Sequence, residues 1–305
     1  MLETKLATEE TLTELLVRAV RRKDHHLVKL LISKGGNTRH RNVLTVAAKH
    51  NPDMFPLLFD KAHPPVLTKG FMTDALKDVI QQTPRNLDAF SALIWSGLVD
   101  IFDTGNCSGH PALTPLGVAI LQSHDSPHFS CVTVSLLLDS GCDPNAIVEF
   151  QNHEGPCINQ TALLKAIEFG NEEIVKLLID RGARINDELR YQVRRTPLQK
   201  AAEMGNIGMV QLLLKLGANV NAPPSFSLGG TALQFAATSG NCEIAAELIC
   251  HSASLYMQPS KIRSRWPIEG AAKHGRLNII YFLWEANMET LYLGLDENGF
   301  QENNY

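Results

Sequence analysis

The sequence predicts an all-α repeat solenoid, because one short pattern recurs along it at a fixed pitch. Thr161-Ala-Leu-Leu-Lys-Ala-Ile-Glu-Phe-Gly170, Thr196-Pro-Leu-Gln-Lys-Ala-Ala-Glu-Met-Gly205 and Thr231-Ala-Leu-Gln-Phe-Ala-Ala-Thr-Ser-Gly240 are copies of one another. A fourth copy, Trp266-Pro-Ile-Glu-Gly-Ala-Ala-Lys-His-Gly275, keeps the spacing, so starts fall at 161, 196, 231 and 266. An apolar-spaced stretch follows each of the first three: Ile174 to Ile179, Val210 to Leu214 and Ile244 to Ile249. Two of these close on Gly182-Ala183 and Gly217-Ala218, while the third has Ser252-Ala253. Helices this short and one-sided fold only when stacked on neighbours, so stability becomes a sum over repeats and their interfaces.

Taken from the N-terminus, residues 1–12 are polar enough to cover an array end. Leu15-Leu-Val-Arg-Ala-Val20 with Leu27-Val-Lys-Leu-Leu-Ile-Ser-Lys-Gly35 reads as a first helix pair, and Val43-Leu-Thr-Val-Ala-Ala48 with Phe55-Pro-Leu-Leu-Phe59 as a second. Phe71 to Gly97 has helical periodicity without the Thr-Pro-Leu start and reads as a degenerate third. Thr114-Pro-Leu-Gly-Val-Ala-Ile120 opens the next, and Val134-Ser-Leu-Leu-Leu-Asp-Ser-Gly141 is its second helix, with Ser123 to His128 inserted between them.

The repeat beginning at Thr196 shows the logic best. Thr196 can cap the helix through its hydroxyl, and Pro197 takes the first helical position, where a missing N–H costs nothing. Leu198, Ala201 and Ala202 share a face, and the alanines are small because two helix layers must approach there. Gly205 ends that helix, Met209, Val210, Leu212, Leu213 and Leu214 face inward on the next, and Gly217 stops it. Leu277, Ile279, Ile280, Phe282, Leu283 and Trp284 complete the last second helix, and the polar end from Asp296 to Tyr305 reads as a frayed tail. The expectation is one array over 1–305: divergent repeats in 1–110, an interrupted repeat in 111–160, regular repeats in 161–288, and a cap or tail in 289–305.

Pitch, Thr-Pro-Leu starts and Gly-Ala closures together resemble the ankyrin repeat family, whose period is ~33 residues. The resemblance implies about eight helix-turn-helix repeats with hairpin fingers. It also implies recognition through the concave face formed by the fingers and first helices. The outward positions would then be Lys49-His50, Glu168-Phe169, Glu203-Met204, Thr238-Ser239 and Lys273-His274. Long fingers such as Ala222 to Gly230 resemble in style those of filamentous-fungal ankyrin repeat proteins, and Gly229-Gly230 suits the passage from finger to helix cap.

Composition narrows the function classes. A net charge of −4 argues against a general nucleic-acid binder. No stretch approaches the ~18 apolar residues of a spanning helix, and the start of the chain lacks a signal-peptide core, so an intracellular location is expected. The six cysteines include no Cys-x-x-Cys pair and read as small thiols in a reducing compartment. The best metal candidate is His124 and Asp125 with His128 and Cys131, but Pro127 is expected to interrupt a helix there; neither a metal nor another cofactor is expected. No phosphate loop, nucleophile elbow or zinc-protease motif occurs, so a catalytic role is not legible.

Partner-binding candidates lie in the regular repeats. Phe169 and Met204 occupy equivalent outward positions in adjacent copies, an apolar pair on a polar surface. One finger carries Arg184, Arg190, Tyr191, Arg194 and Arg195, with Asp187 and Glu188 as possible internal counter-charges. The next bears Phe226, and the third Lys261, Arg263, Arg265 and Trp266. Arginine interleaved with aromatics is the composition of interface hot spots and suits a protein partner, in particular an acidic peptide or a phosphorylated ligand. The expected function is therefore a non-catalytic protein-interaction scaffold. Two alternatives stay open: an enzyme or small-molecule binder using the irregular stretch 97–160, and a self-assembling structural protein.

Overall fold

The computed structural model describes residues 9–38, 40–58, 76–77, 79–80, 90–91, 93–94, 112–122, 127–150, 159–186, 193–226, 229–258, 260 and 265–297. The chain divides into two compact units, Met1–Gly155 and Pro156–Tyr305.

In the first unit, α1 (Glu9–Arg21) packs against α2 (His25–Ser33) and α3 (Arg41–His50). Their shared core is Leu16, Ala19, Val20, Val28, Leu31, Val43, Leu44 and Ala47. Asp24 caps α2 by accepting the Leu27 N–H at 3.0 Å. Asn51, which ends α3, donates to the carbonyls of Val20 and Arg21 at 2.8 and 3.1 Å, tying the second helix pair to the first. A 3-10 turn (Pro52–Met54) then leads into α4 (Phe55–Leu58), which inserts Phe55 and Leu58 into the core. Of the degenerate third repeat only scattered positions are described, and Leu76, Val79, Ile80, Phe90 and Leu93 among them are buried.

The interrupted repeat contains two strands that helical periodicity could not foretell. Strand β1 (Ala112–Leu113) pairs antiparallel with β2 (Ile147–Phe150), Ala112 opposite Phe150 and Leu113 opposite Glu149. Thr114 caps α5 (Pro115–Leu121) by accepting the Gly117 N–H at 3.3 Å. Gly117 stands where two later repeats carry Gln199 and Gln234, and β2 crosses there: a Cβ on it would lie 2.7 Å from the Val148 carbonyl oxygen. Pro127 does not interrupt a helix. It begins α6 (Pro127–Asp139), where its lack of an N–H is harmless. Behind α6, burial pushes the Cys142 thiol up to about 12.

The second unit holds the regular repeats. After the two-residue strand β3 (Gln160–Thr161), first helices α7 (Ala162–Glu168), α9 (Pro197–Met204), α11 (Ala232–Ser239) and α13 (Pro267–Lys273) alternate with second helices α8 (Glu172–Asp180), α10 (Ile207–Lys215), α12 (Cys242–Cys250) and α14 (Leu277–Glu297). Each first helix packs on the next first helix, and α10, α12 and α14 stack likewise. Leu163, Ala166, Ile167, Leu198, Ala201, Ala202, Leu233, Ala236 and Ala237 are buried where these layers meet. The face assigned from spacing to Leu198, Ala201 and Ala202 is thus the buried one.

Caps set the element boundaries. Thr196 and Gln199 exchange two hydrogen bonds, Gln199 N–H to Thr196 Oγ1 at 3.3 Å and Thr196 N–H to Gln199 Oε1 at 3.0 Å. Thr231 and Gln234 repeat the exchange at 3.2 and 2.9 Å. Asn171, Asn206 and Asn241 cap the second helices, accepting from Ile174, Met209 and Ile244 at 3.0, 3.0 and 3.1 Å. Past the second helices the backbone turns left-handed at Gly182 and Gly217, whereas Ser252 holds φ 65° at the equivalent place and bears the Cβ strain that glycine avoids. Cys250, at the end of α12, is exposed. The last helix, α14, extends well past Met288, so residues 289–297 continue it as backbone helix, and 298–305 lie outside the described residues.

Ala201 is wholly enclosed between α9 and its neighbours. Ala201→Leu should cost about 1–3 kcal/mol by overpacking, read as a lower urea midpoint at unchanged slope.

Candidate partner-binding surface

The fingers of the second unit are fixed at their bases by side-chain amides. Asn186 donates to the Gly217 carbonyl at 2.8 Å and accepts the Asn219 N–H at 2.7 Å. One repeat later, Asn221 donates to the Ser252 carbonyl at 2.9 Å and accepts the Ser254 N–H at 2.8 Å. From the helix side, Gln199 donates to the carbonyls of Ala222 and Pro223, both at 3.0 Å, and Gln234 to that of Met257 at 3.0 Å. Gln199 and Gln234 therefore each serve as helix cap and finger anchor together. Gly229 closes the neck of its finger so tightly that a Cβ would lie 2.4 Å from the Ser225 nitrogen, and Phe226 is left exposed.

The arginine strip is brought together only in part. Arg195 is engaged internally: its Nε and Nη2 both donate to Glu203 at 2.9 Å, its Nη1 donates to the Arg194 carbonyl at 3.1 Å, and its guanidinium lies 4.4 Å from the Phe235 ring centre. It braces the α9 face against α11. Arg194 is half-buried, and its Nη1 has no hydrogen-bond partner among the described residues. Arg184 and Arg265 are exposed. Arg190, Tyr191 and Arg263, with Asp187 and Glu188, lie outside the described residues.

Beside Arg195 the first helices carry a second charge cluster. Glu168 sits 3.6 Å from Lys200 Nζ and 3.7 Å from Lys165 Nζ, while the Lys165 ammonium lies 5.1 Å from the Phe169 ring centre. Burial pulls the Glu168 carboxyl upward, but the Lys165 and Lys200 charges and a hydrogen bond from Gln160 outweigh it and hold the group below its ordinary value. Phe169 is thereby half-buried under its own lysine, whereas Met204, its equivalent on α9, is exposed.

An apolar cleft that spacing arguments passed over lies one repeat further on. It encloses about 190 Å³ and is lined by Leu255, Tyr256, Trp266, Pro267, Ile268, Leu283 and Asn287. The Tyr256 hydroxyl bonds to Asn287 Oδ1. Both aromatics occupy positions that preceding repeats use for structure. Trp266 replaces the capping threonines Thr161, Thr196 and Thr231, and Tyr256 replaces the anchoring Asn186 and Asn221. Ile268 is 36% exposed, while its counterparts Leu163, Leu198 and Leu233 are at 2%, 1% and 1%. The readable signal was this exchange of recurring polar residues for aromatics in one copy.

Of the suggested metal ligands, His124 and Asp125 fall outside the described residues, and Cys131 is half-buried on α6. Among the described residues no group of three His, Cys, Asp or Glu side chains is placed to hold a metal ion. Nor is any helix among them long and apolar enough to cross a membrane.

The profile described as ankyrin repeats (3 copies) matches residues 80–189 and 187–259, more than half of the chain. The chain belongs to the ankyrin repeat family. Comparison with curated proteins gives no match. Ankyrin repeats are generally protein–protein interaction modules, and the fingers of this ankyrin protein project exposed Phe226 and Tyr256 from bases locked by asparagine and glutamine.

Two outcomes follow from these bonds. Asn221→Ala removes the partner of the Ser254 N–H and the Ser252 carbonyl, both within reach of water, and should cost about 0.5–1.5 kcal/mol, read from the urea midpoint. Glu168, with its folded value depressed, contributes stability that is present above the ordinary carboxylate range and lost as pH falls through the lowered value. Glu168→Gln should therefore flatten the acid side of the stability curve, measured by urea titration from neutral to strongly acid pH.

Proposed function

We propose that this chain is a non-catalytic protein-interaction module whose partner docks along the fingers and inner face of the second unit. A partner's apolar side chain would enter the Tyr256–Trp266 cleft, with Met204 and Phe226 as exposed flanking contacts. The observation carrying this reading is the exchange of a capping threonine and an anchoring asparagine for two aromatics around an open cleft. A helix cap contributes ~1 kcal/mol, so giving it up for a large ring marks a position shaped by something other than the repeat's own folding.

Arg265, exposed next to Trp266, and Arg184 on an earlier finger favour acidic residues beside that apolar anchor. Arg195 would act indirectly, holding the inner face rigid through Glu203 and Phe235. Arg190, Tyr191 and Arg263 belong to the same proposed surface by sequence. Rigid bases suit such a surface, since preorganised fingers lose little entropy on binding. Free thiols at Cys131, Cys142, Cys242 and Cys250 support an intracellular setting.

Affinity capture from native lysate with wild-type protein and with Trp266→Ala and Tyr256→Ala, followed by titration of the captured partner, tests this. Each substitution should weaken binding roughly thirtyfold or more, the scale of a hot spot, with helicity unchanged. A partner held equally by all three proteins would overturn the cleft as the docking point.

A further inference from the structure

The inner face of the second unit changes charge from copy to copy, and the repeat register makes the change readable. In the first two copies the residue just before the helix cap bonds to the residue eight positions on, near the end of the same helix. Gln160 donates to Glu168, and Arg195 donates to Glu203 through both Nε and Nη2 at 2.9 Å. The third copy is neutral at both places, with Gly230 and Thr238. The fourth has Arg265 and Lys273, a cation at each.

The backbone holds Arg265 and Lys273 as it holds Arg195 and Glu203. Trp266, like Thr196, is extended before its helix (φ −57°, ψ 152° against φ −76°, ψ 162°), and Gly275, like Gly205, is left-handed after it (φ 66° against 72°). A second cation therefore stands at 273 where the carboxylate completes the pair at 203. Arg265 and Lys273 are both exposed, and neither meets a carboxylate among the described residues. Glu269, the one acid on α13, is turned to the start of the helix, where its Oε2 accepts the Trp266 N–H at 3.3 Å. The adjoining α11 has no acidic residue. Arg276 adds a third exposed cation. It stands where Asn171, Asn206 and Asn241 cap the preceding second helices, and its Cδ would lie 2.7 Å from a Cβ on Gly240, at the end of α11.

The earlier pairs are also covered where this one is open. Lys200 reaches back to Glu168 at 3.6 Å, and the Phe235 ring centre lies 4.4 Å from the Arg195 guanidinium. No further first helix follows α13 among the described residues, so no side chain of that kind lies over Arg265 and Lys273.

We infer that Arg265 and Lys273 form a seat for a carboxylate of the partner, a glutamate or aspartate side chain taking the place that Glu203 fills in its own repeat. This rests on the docking face proposed above and names what sits beside its apolar anchor, since Trp266, next in the chain to Arg265, lines the cleft. Two cations held at the spacing of an ion pair repel each other, and an anion between them relieves both. A guanidinium takes a carboxylate through two parallel bonds, the geometry Arg195 already shows. No charged residue lines the cleft itself, so a partner's apolar and acidic side chains are sorted to adjoining places.

Fluorescence anisotropy of the full chain with a labelled peptide of alternating glutamate and leucine, and with its glutamine–leucine counterpart, tests the seat. Wild type should hold the glutamate peptide roughly fivefold or more tighter, the scale of a well-made charge pair at a surface, and added salt should erase the difference. Lys273→Glu rebuilds within the chain the pair that Arg195 and Glu203 form in a folded repeat. It should lose the preference while keeping wild-type circular dichroism. Arg265→Glu with Lys273→Glu should invert the preference in favour of a lysine–leucine peptide. Equal affinity of wild type for both peptides, no binding of the glutamate peptide, or a preference that survives Lys273→Glu would each overturn the proposal, as would a double reversal that does not take the lysine peptide. Trp266→Ala separates the seat from the cleft, because it should weaken both peptides alike and keep their ratio. A preference lost in Lys273→Glu, with Trp266→Ala binding like wild type, keeps the seat and removes the cleft. Equal peptides whose binding is lost in Trp266→Ala do the reverse.

Discussion

The first helices of the second unit depend on being packed against the adjoining copies of themselves. The first helices of the second unit are seven or eight residues long, too short to persist alone in water. Burial of Leu198, Ala201 and Ala202 against equivalent residues of the adjoining repeats supplies what propensity does not. The alanine shared by all four copies, Ala166, Ala201, Ala236 and Ala271, is the controlling choice, because a longer side chain at that fully buried position would hold the two helix layers apart. Close approach in turn brings the finger bases within reach of one another, and the amide ladder can form.

That ladder gives the fingers their definition. Backbone groups in an irregular finger need partners, and Asn186, Asn221, Gln199 and Gln234 provide them across repeat boundaries. One side chain caps a helix and anchors a finger at once, so local and long-range order are coupled through single residues. With the bases fixed, exposed Phe226 and Tyr256 are presented by a rigid support instead of by a fluctuating loop. Arg195 extends the same bracing to the inner face, linking Glu203 to the ring of Phe235.

The repeat that starts at Trp266 departs from the others in a coherent way. Threonine, asparagine and glutamine, which serve cap and ladder elsewhere, become Trp266, Tyr256 and Glu269, and the second helix more than doubles in length relative to α12. Trp266 and Tyr256 give up a hydroxyl cap and an amide anchor and add exposed aromatic surface, while Glu269 still accepts the Trp266 N–H at 3.3 Å.

Much of this architecture was legible because it is periodic. Thr196, Pro197, Leu198, the alanine pair and Gly205 specify their own positions through capping, volume and backbone conformation, and these are short-range properties that a sequence states openly. Strands β1 and β2 were not legible, since they are only two and four residues long and owe their existence to pairing between distant segments. The start of α6 at Pro127 was hidden for a related reason, as proline both breaks and begins helices and only the surrounding chain decides which. Arg195 shows the same division at the surface. Its charge and its neighbours on the finger were evident from sequence, but its bidentate bond to Glu203 and its stacking on Phe235 depend on two repeats being brought together. The sequence by itself determined the pitch, the caps and the inward faces, because these follow from local chemistry repeated at fixed spacing. Tertiary structure alone decided which polar side chains are consumed in holding the repeats together and which aromatics remain exposed, because burial and partnership are properties of neighbours that the chain order does not record.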